Sequence, residues 1–153
     1  MAYYIKTIGI RGEFIGIFEG RFKKMLSSKM CFKTNKGKVG SIKNNDKLVI
    51  YCIRNGVREF PHGGFIGIQL VLSEVHSRNG DFEPPWDWVV DIKQQIQVEP
   101  KREITLSEVR GWTNRSVKLE NALNVRLLAI GGLLEIEESD YIQFIKEFKT
   151  RIK

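Results

Sequence analysis

Apolar positions along this chain recur mainly with the two-residue period of extended backbone, and with a helical period near the two ends. "YYIKTIGI" reads as a first strand, rich in β-branched and aromatic residues. "GEFIGIFEGRFKKMLSS" (12–28) reads as a loop passing into a helix. Phe18, Phe22 and Met25 are spaced to share one helical face, and Gly12, Gly16 and Gly20 blur its start. "FKTNKGKVG" (32–40) is a polar, basic loop, and "NNDKLVIYCI" (44–53) is a turn followed by a strand. "RNGVREFPHGG" (54–64) carries Asn-Gly and Gly-Gly turn signals and connects two antiparallel strands.

"FIGIQLVLSEV" (65–75) is apolar on both faces, which predicts a central strand. "HSRNGDFEPP" (76–85) is a loop, and "WDWVVDIKQQIQV" (86–98) is the next strand. In "TLSEVRGW" Thr105 is set as an N-cap and Glu108 completes a capping box. Residues 114–136 are mixed, with a loop or short helix and then a strand near 125–130 expected. "EESDYIQFIKEFKTRIK" (137–153) is the clearest helix. Ser139 is its expected N-cap, and Tyr141, Ile145 and Phe148 form its apolar stripe with Phe144 and Ile152 beside them. Short loops between strands imply antiparallel pairing. The expected fold class is α+β: a small, curved, mixed sheet or open barrel flanked by helices, formed by 1–153 as one domain.

Charge changes the picture more than composition does. The formal net charge is +7, and residues 21–47 hold nine Lys or Arg against one acid, while the acids concentrate in "LLEIEESD". A one-sided basic surface favours a polyanionic partner. No apolar run reaches the roughly 20 residues that cross a bilayer. "MAYYIKTIGI" lacks the order of a signal peptide, so a cytoplasmic protein that does not enter a membrane is expected.

Enzyme chemistry is thin. Neither a phosphate-cradling loop nor a dinucleotide fingerprint is present. His62 and His76 have no fixed triad partners. Ser73 and Glu74 in "LSEVHS" read as polar groups ending a strand, and Asp87 and Asp91 share a solvent face. Cys31 and Cys52 lack metal-ligand spacing; a zinc set with His62 and His76 is weighed against two half-buried hydrophobes in a reducing compartment, and no metal or cofactor is assigned. What remains is aromatic plus basic. Trp86, Trp88 and Trp112 lie at or near element boundaries, and Arg110, Arg115 and Lys118 lie near the last. Aromatic faces stack on bases at about 1–3 kcal/mol each.

The segment "IKNNDKLVIYC" supplies Ile42, Lys43, Asp46, Leu48, Val49, Ile50 and Tyr51. "GGFIGIQLVLSEVHS" supplies Gly67, Val71, Ser73 and Glu74, and "GGLLEIEESDYIQFIKEF" supplies Ile136, Asp140, Tyr141 and Phe144 or Ile145. With the opening "YYIKTI" and the Pro-aromatic entry "PPWDWVVDIK", this order resembles EVE domains of the PUA-like superfamily, related to YTH and ASCH domains. The resemblance implies a sheet or barrel of five or six strands with flanking helices. It also implies binding of DNA or RNA through a flipped or unpaired, often modified, base in a pocket beside the sheet. EVE-like modules also occur as substrate-reading domains of modification-dependent restriction systems, so further domains of a larger protein are compatible with it.

Many family members place a tryptophan just after the first helix, where this chain has "SSKMCFKTNKG" and Phe32 is the nearest aromatic. The base pocket the resemblance implies is therefore walled by Phe32 in that tryptophan's place, or by Trp86 and Trp112, with Ser73, Asn35 and Asn114 as partners for the base edge. Lys33, Lys36, Lys38, Arg54, Arg110 and Arg115 are expected to hold phosphates. Trp86, Trp88, Val90 and Ile92 fall on one face of the strand; Trp88, deeper in it, is expected to pack, while Trp86 at its start walls the pocket. Two other readings stay open. One is an ASCH-like enzyme using Lys6, Lys43 and Glu74; the other is a protein-interaction or regulatory domain.

Overall fold

The computed structural model describes residues 1–9, 29–32, 42–56, 60–77, 88–130 and 133–152. The first predicted helix, most of the basic loop at 32–40, Trp86 and Asp87 lie outside the described residues. The described strands are β1 (Tyr3–Ile8), β2 (Lys29–Phe32), β3 (Lys47–Cys52), β4 (Gly64–Val71), β5 (His76–Ser77), β6 (Trp88–Gln97) and β7 (Leu133–Ile136). The described helices are α1 (Leu106–Arg110), α2 (Val117–Ala122), α3 (Val125–Ile130) and α4 (Glu138–Lys149).

The strands form one mixed sheet in the order β2-β6-β4-β3-β1-β7, with β5 pairing β6. Among the described strands only β1 and β3 run parallel, and the other pairs are antiparallel. The register sets the two faces. Tyr4, Lys6 and Ile8 stand level with Leu48, Ile50 and Cys52 on one face; Tyr3, Ile5 and Thr7 stand level with Lys47, Val49 and Tyr51 on the other. α4 lies against the second face: the Tyr141 ring meets Tyr3 at 4.8 Å, and Phe144 meets Phe65 at 4.8 Å.

The sheet is curled, and side-chain contacts show how far. β1 and β2 stand four strand spacings apart in the order, about 19 Å if the sheet were flat. Yet the Lys6 ammonium lies 5.4 Å from the centre of the Phe32 ring. The first face must therefore wrap into the interior of an open barrel, as expected. Bulges enable the bend. The β4–β6 register slips at Ile68/Gln69, leaving Gln95 unpaired, and the β3–β4 register slips at Ile50/Tyr51. Gln94 fills the first bulge: its amide donates to Ile68 O (3.3 Å) and accepts from Gln69 Nε2 (2.9 Å). Gly67 sits where these strands come closest; a Cβ there would lie 2.1 Å from Ile96 O.

The motif residues are structural anchors. Asp46 is buried, and its carboxylate accepts from Ala2 N (2.8 Å) and Lys43 N (2.9 Å), tying the turn before β3 to the chain start. Replacing Asp46 with Ala should lower stability by about 2–3 kcal/mol, because both N–H groups lose a charged acceptor. Urea denaturation with an unchanged m-value would check this. Ser73 fills the gap where β4 gives way to β5. Its hydroxyl accepts from Asp91 N (2.9 Å) and donates to Glu74 O (3.0 Å).

Three expectations change. Residues 125–130 form helix α3 rather than a strand. The Asn124 side chain accepts from Arg126 N (2.9 Å) and Leu127 N (3.3 Å), and this local capping nucleates a helical turn; the strand comes later, at Leu133–Ile136. The N-cap of α4 is Glu137, with Asp140 completing a capping box, so Ser139 is already inside the helix. The α4 stripe centres on buried Phe144 and Phe148, with Tyr141 half-buried and Ile152 exposed. The Thr105–Glu108 capping box forms as expected. Trp88 packs against the core, opposite Phe32.

Candidate functional site

α1 ends at Gly111, and residues 112–116 carry the chain to α2, where Ser116 is the N-cap. That connection is pinned from across the fold. Asp140, buried in the first turn of α4, accepts from Ser116 N (3.0 Å), Ser116 Oγ (2.5 Å) and Glu137 N (2.9 Å). Between the connection and α4 lies a cavity of about 460 Å³, lined by Gly111 to Arg115 and by Ser139, Asp140 and Gln143. That volume is in the range of small-ligand sites.

Trp112 forms the aromatic wall. Its half-buried indole stands edge-on to Phe144 at 4.9 Å, and contacts run on through Phe65 to Tyr51 on the sheet. The cavity therefore lies beside the sheet. Burial raises the Tyr51 phenol above its ordinary pKa, Cys52 adds to this, and Arg110 pulls the other way. The phenol is thus neutral at physiological pH.

Trp112, Asn114 and Arg115, three of the expected site residues, meet at this cavity, and Arg110 adjoins it. Their roles differ. Asn114 is exposed and its side chain forms no hydrogen bond among the described residues, so its amide is open to a ligand. Arg115 is tied up: it donates to Trp112 O (3.0 Å) and Arg110 O, and lies 3.7 Å from Glu120. Its guanidinium shapes the connection more than it faces solvent. Arg110 is exposed and donates to Leu123 O (2.9 Å), and Arg54 is exposed in the turn after β3.

Two expected base contacts stand elsewhere. Phe32 is 2 % exposed inside the barrel, beneath Lys6, so it is a packing residue rather than an open wall. Ser73 spends its hydroxyl on the β4–β6 gap. Trp86, Asn35, Lys33, Lys36 and Lys38 lie outside the described residues.

Ser139 and Gln143, missed at first, enter because α4 starts two residues earlier than expected; their spacing then puts both on one helical face. The groups named for catalysis do not converge: Lys6 is buried in the barrel, donating to Thr7 O (2.8 Å), while Lys43 and Glu74 are exposed. Among the described residues no three of His, Cys, Asp and Glu gather, so Cys52, His62 and His76 do not form the zinc set. No described helix is long and apolar enough to cross a membrane.

No family model matches the chain, and no curated protein matches its sequence. Solved structures do. The YTH domain of Zygosaccharomyces rouxii MRB1, in complex with N6-methyladenosine RNA, is similar with a TM-score of 0.63 at 10% identity over 99% of this chain and 89% of that one. Human THYN1 protein, in complex with DNA containing 5-methylcytosine, is similar with a TM-score of 0.58 at 13% identity over 100% and 99%. A hypothetical protein from Leishmania major is similar with a TM-score of 0.63 at 16% identity over 98% and 96%. These likenesses define the class: an α+β fold built on an open, curved mixed sheet. That fold is similar to the YTH domain and to the DUF55 domain of human thymocyte nuclear protein 1, the latter with a TM-score of 0.59 at 12% identity over 97% of this chain and 99% of that one.

Proposed function

We propose that the protein is a nucleic-acid-binding module that is not itself an enzyme, and that it holds a flipped or unpaired, modified base in the cavity beside the sheet. The observation that carries the reading is the meeting of Trp112, Asn114 and Arg115 around one cavity of ligand size. Trp112 offers a face for stacking, and Asn114 and Gln143 offer amides to a base edge. Arg110 and Arg54, both exposed, would hold phosphates, and Arg115 keeps the connection in shape. Similar structures hold methylated DNA and N6-methyladenosine RNA, which supports the same ligand class here. In the cell the module would work in the cytoplasm, as the reading part of a modification-dependent restriction system.

The test is binding of DNA and RNA oligonucleotides, each with and without a methylated base, across a salt series. Affinity should fall as salt rises and should favour the modified strand. Replacing Trp112 with Ala should weaken binding about 5- to 150-fold, the equivalent of roughly 1–3 kcal/mol of stacking, and should narrow the preference for the modified base. Absence of binding to every oligonucleotide at low salt would overturn the reading, and turnover of a modified nucleoside would replace it with an enzyme.

A further inference from the structure

α4 crosses the outer face of the sheet from Tyr3 on β1 to Phe65 on β4, where its ring contacts lie. Beyond that crossing, Lys47, Leu70 and Lys93 stand in a row across β3, β4 and β6, directly opposite one another in the register. Lys93 is exposed, and Lys47 and Leu70 are partly exposed. Strand spacing sets the two lysine backbones about 10 Å apart. The Lys47 ammonium reaches across β4 to Gln95 Oε1 at 3.5 Å, which puts it on the same side of the sheet as β6's outward side chains.

Among the described residues, neither Lys47 nor Lys93 has an ion pair. Asp91 is two residues along β6 on the Lys93 face, but it lies 3.5 Å from His76 Nε2. Two uncompensated cations are thus held at a fixed spacing by a rigid scaffold, with one partly exposed aliphatic side chain between them and an amide alongside. Rigidly spaced cations suit a chain of phosphates, whose contacts set register rather than read sequence. The little apolar surface in the row argues against insertion into a lipid layer.

We propose that this exposed row of the sheet contacts the phosphodiester backbone of the bound nucleic acid, away from the cavity at Trp112. The inference rests on the nucleic-acid reading above. Its test is a double variant, Lys47→Gln with Lys93→Gln, against a charge-matched control, Lys146→Gln with Lys149→Gln, on exposed positions of α4. Binding of modified and unmodified oligonucleotides is followed from low to physiological salt, with the urea midpoint confirming the fold. The sheet variant should lose affinity equally for both oligonucleotides, and its slope of log affinity against log salt should shrink by about 1.5–2. The α4 control should change the slope by less than half as much.

Equal changes in both variants would overturn the inference, because net charge alone would then explain them. An unchanged slope in the sheet variant would also overturn it, while binding by the unaltered protein would leave the base-reading proposal standing. If the unaltered protein binds no oligonucleotide, both proposals fall. Lysine-dependent binding to anionic phospholipid vesicles without oligonucleotide binding would replace this inference with a membrane surface.

Discussion

Replacing Asp140 with Ala is expected to lower the unfolding free energy by about 3–5 kcal/mol, among the largest effects of any single change outside the apolar core. The carboxylate is 2 % exposed and accepts three hydrogen bonds from two separate segments. Bonds to a charged acceptor contribute about 1.5–3 kcal/mol each, and they are not additive when they share one group. Two structures fail together when it is lost: the capping box of α4 and the anchor that holds Ser116, the N-cap of α2. Asp140→Asn keeps one acceptor oxygen and the shape, so about half the loss is expected. Urea unfolding of both variants checks the order, and a loss below about 1 kcal/mol for alanine would show that the connection is held by other contacts. The same residue lines the cavity, so a variant that still folds should also bind oligonucleotide more weakly.

The second large effect is expected at Gly67, where alanine should destabilise by about 3 kcal/mol or more. Its backbone needs no special conformation; the obstacle is space. The added Cβ would meet Ile96 O at 2.1 Å and Gln94 Nε2 at 3.0 Å. The glutamine can move, but a carbonyl in the β4–β6 ladder cannot do so without parting the strands. Amide hydrogen exchange should therefore quicken across Gln69–Val71 and Ile92–Gln97 more than in β1 or β7. Gly111 provides a control. A Cβ there comes no closer than 3.3 Å to its nearest neighbour, and its φ of −83° suits any residue, so Gly111→Ala should stay within about 1 kcal/mol. If both glycines tolerated alanine equally, the close approach of β4 and β6 would not be the reason for glycine at 67.

These residues also show what was legible in advance. Gly67, Asp46, Ser73 and Asp140 all stood out through the EVE-like motifs, and each has a physical task in the fold. The task itself was not legible. Ser73 looked like a group for a base edge, and only the break between β4 and β5 shows its hydroxyl standing in for a main-chain acceptor. Phe32 looked like a substitute pocket wall, and only the curl of the sheet shows it packed under Lys6. Trp112, Asn114 and Arg115 were chosen one by one from residue type and neighbourhood; α4, more than twenty positions later in the chain, makes one cavity of them.

The sequence by itself determined the elements whose signals are local: the extended apolar runs of β1, β3, β4 and β6, the Thr105 capping box, the long last helix and the α+β class. Each depends on neighbours within a few residues, so its period and caps can be read along the chain. The tertiary structure decided the rest. It put α3 where a strand was expected, turned Lys6 into the barrel, used Asp140 to join α2 to α4, and set Lys47 and Lys93 level with each other on one exposed row of the sheet. Those outcomes depend on partners far apart in sequence, brought together by strand order and bulges, and the pattern of any one segment carries no information about them.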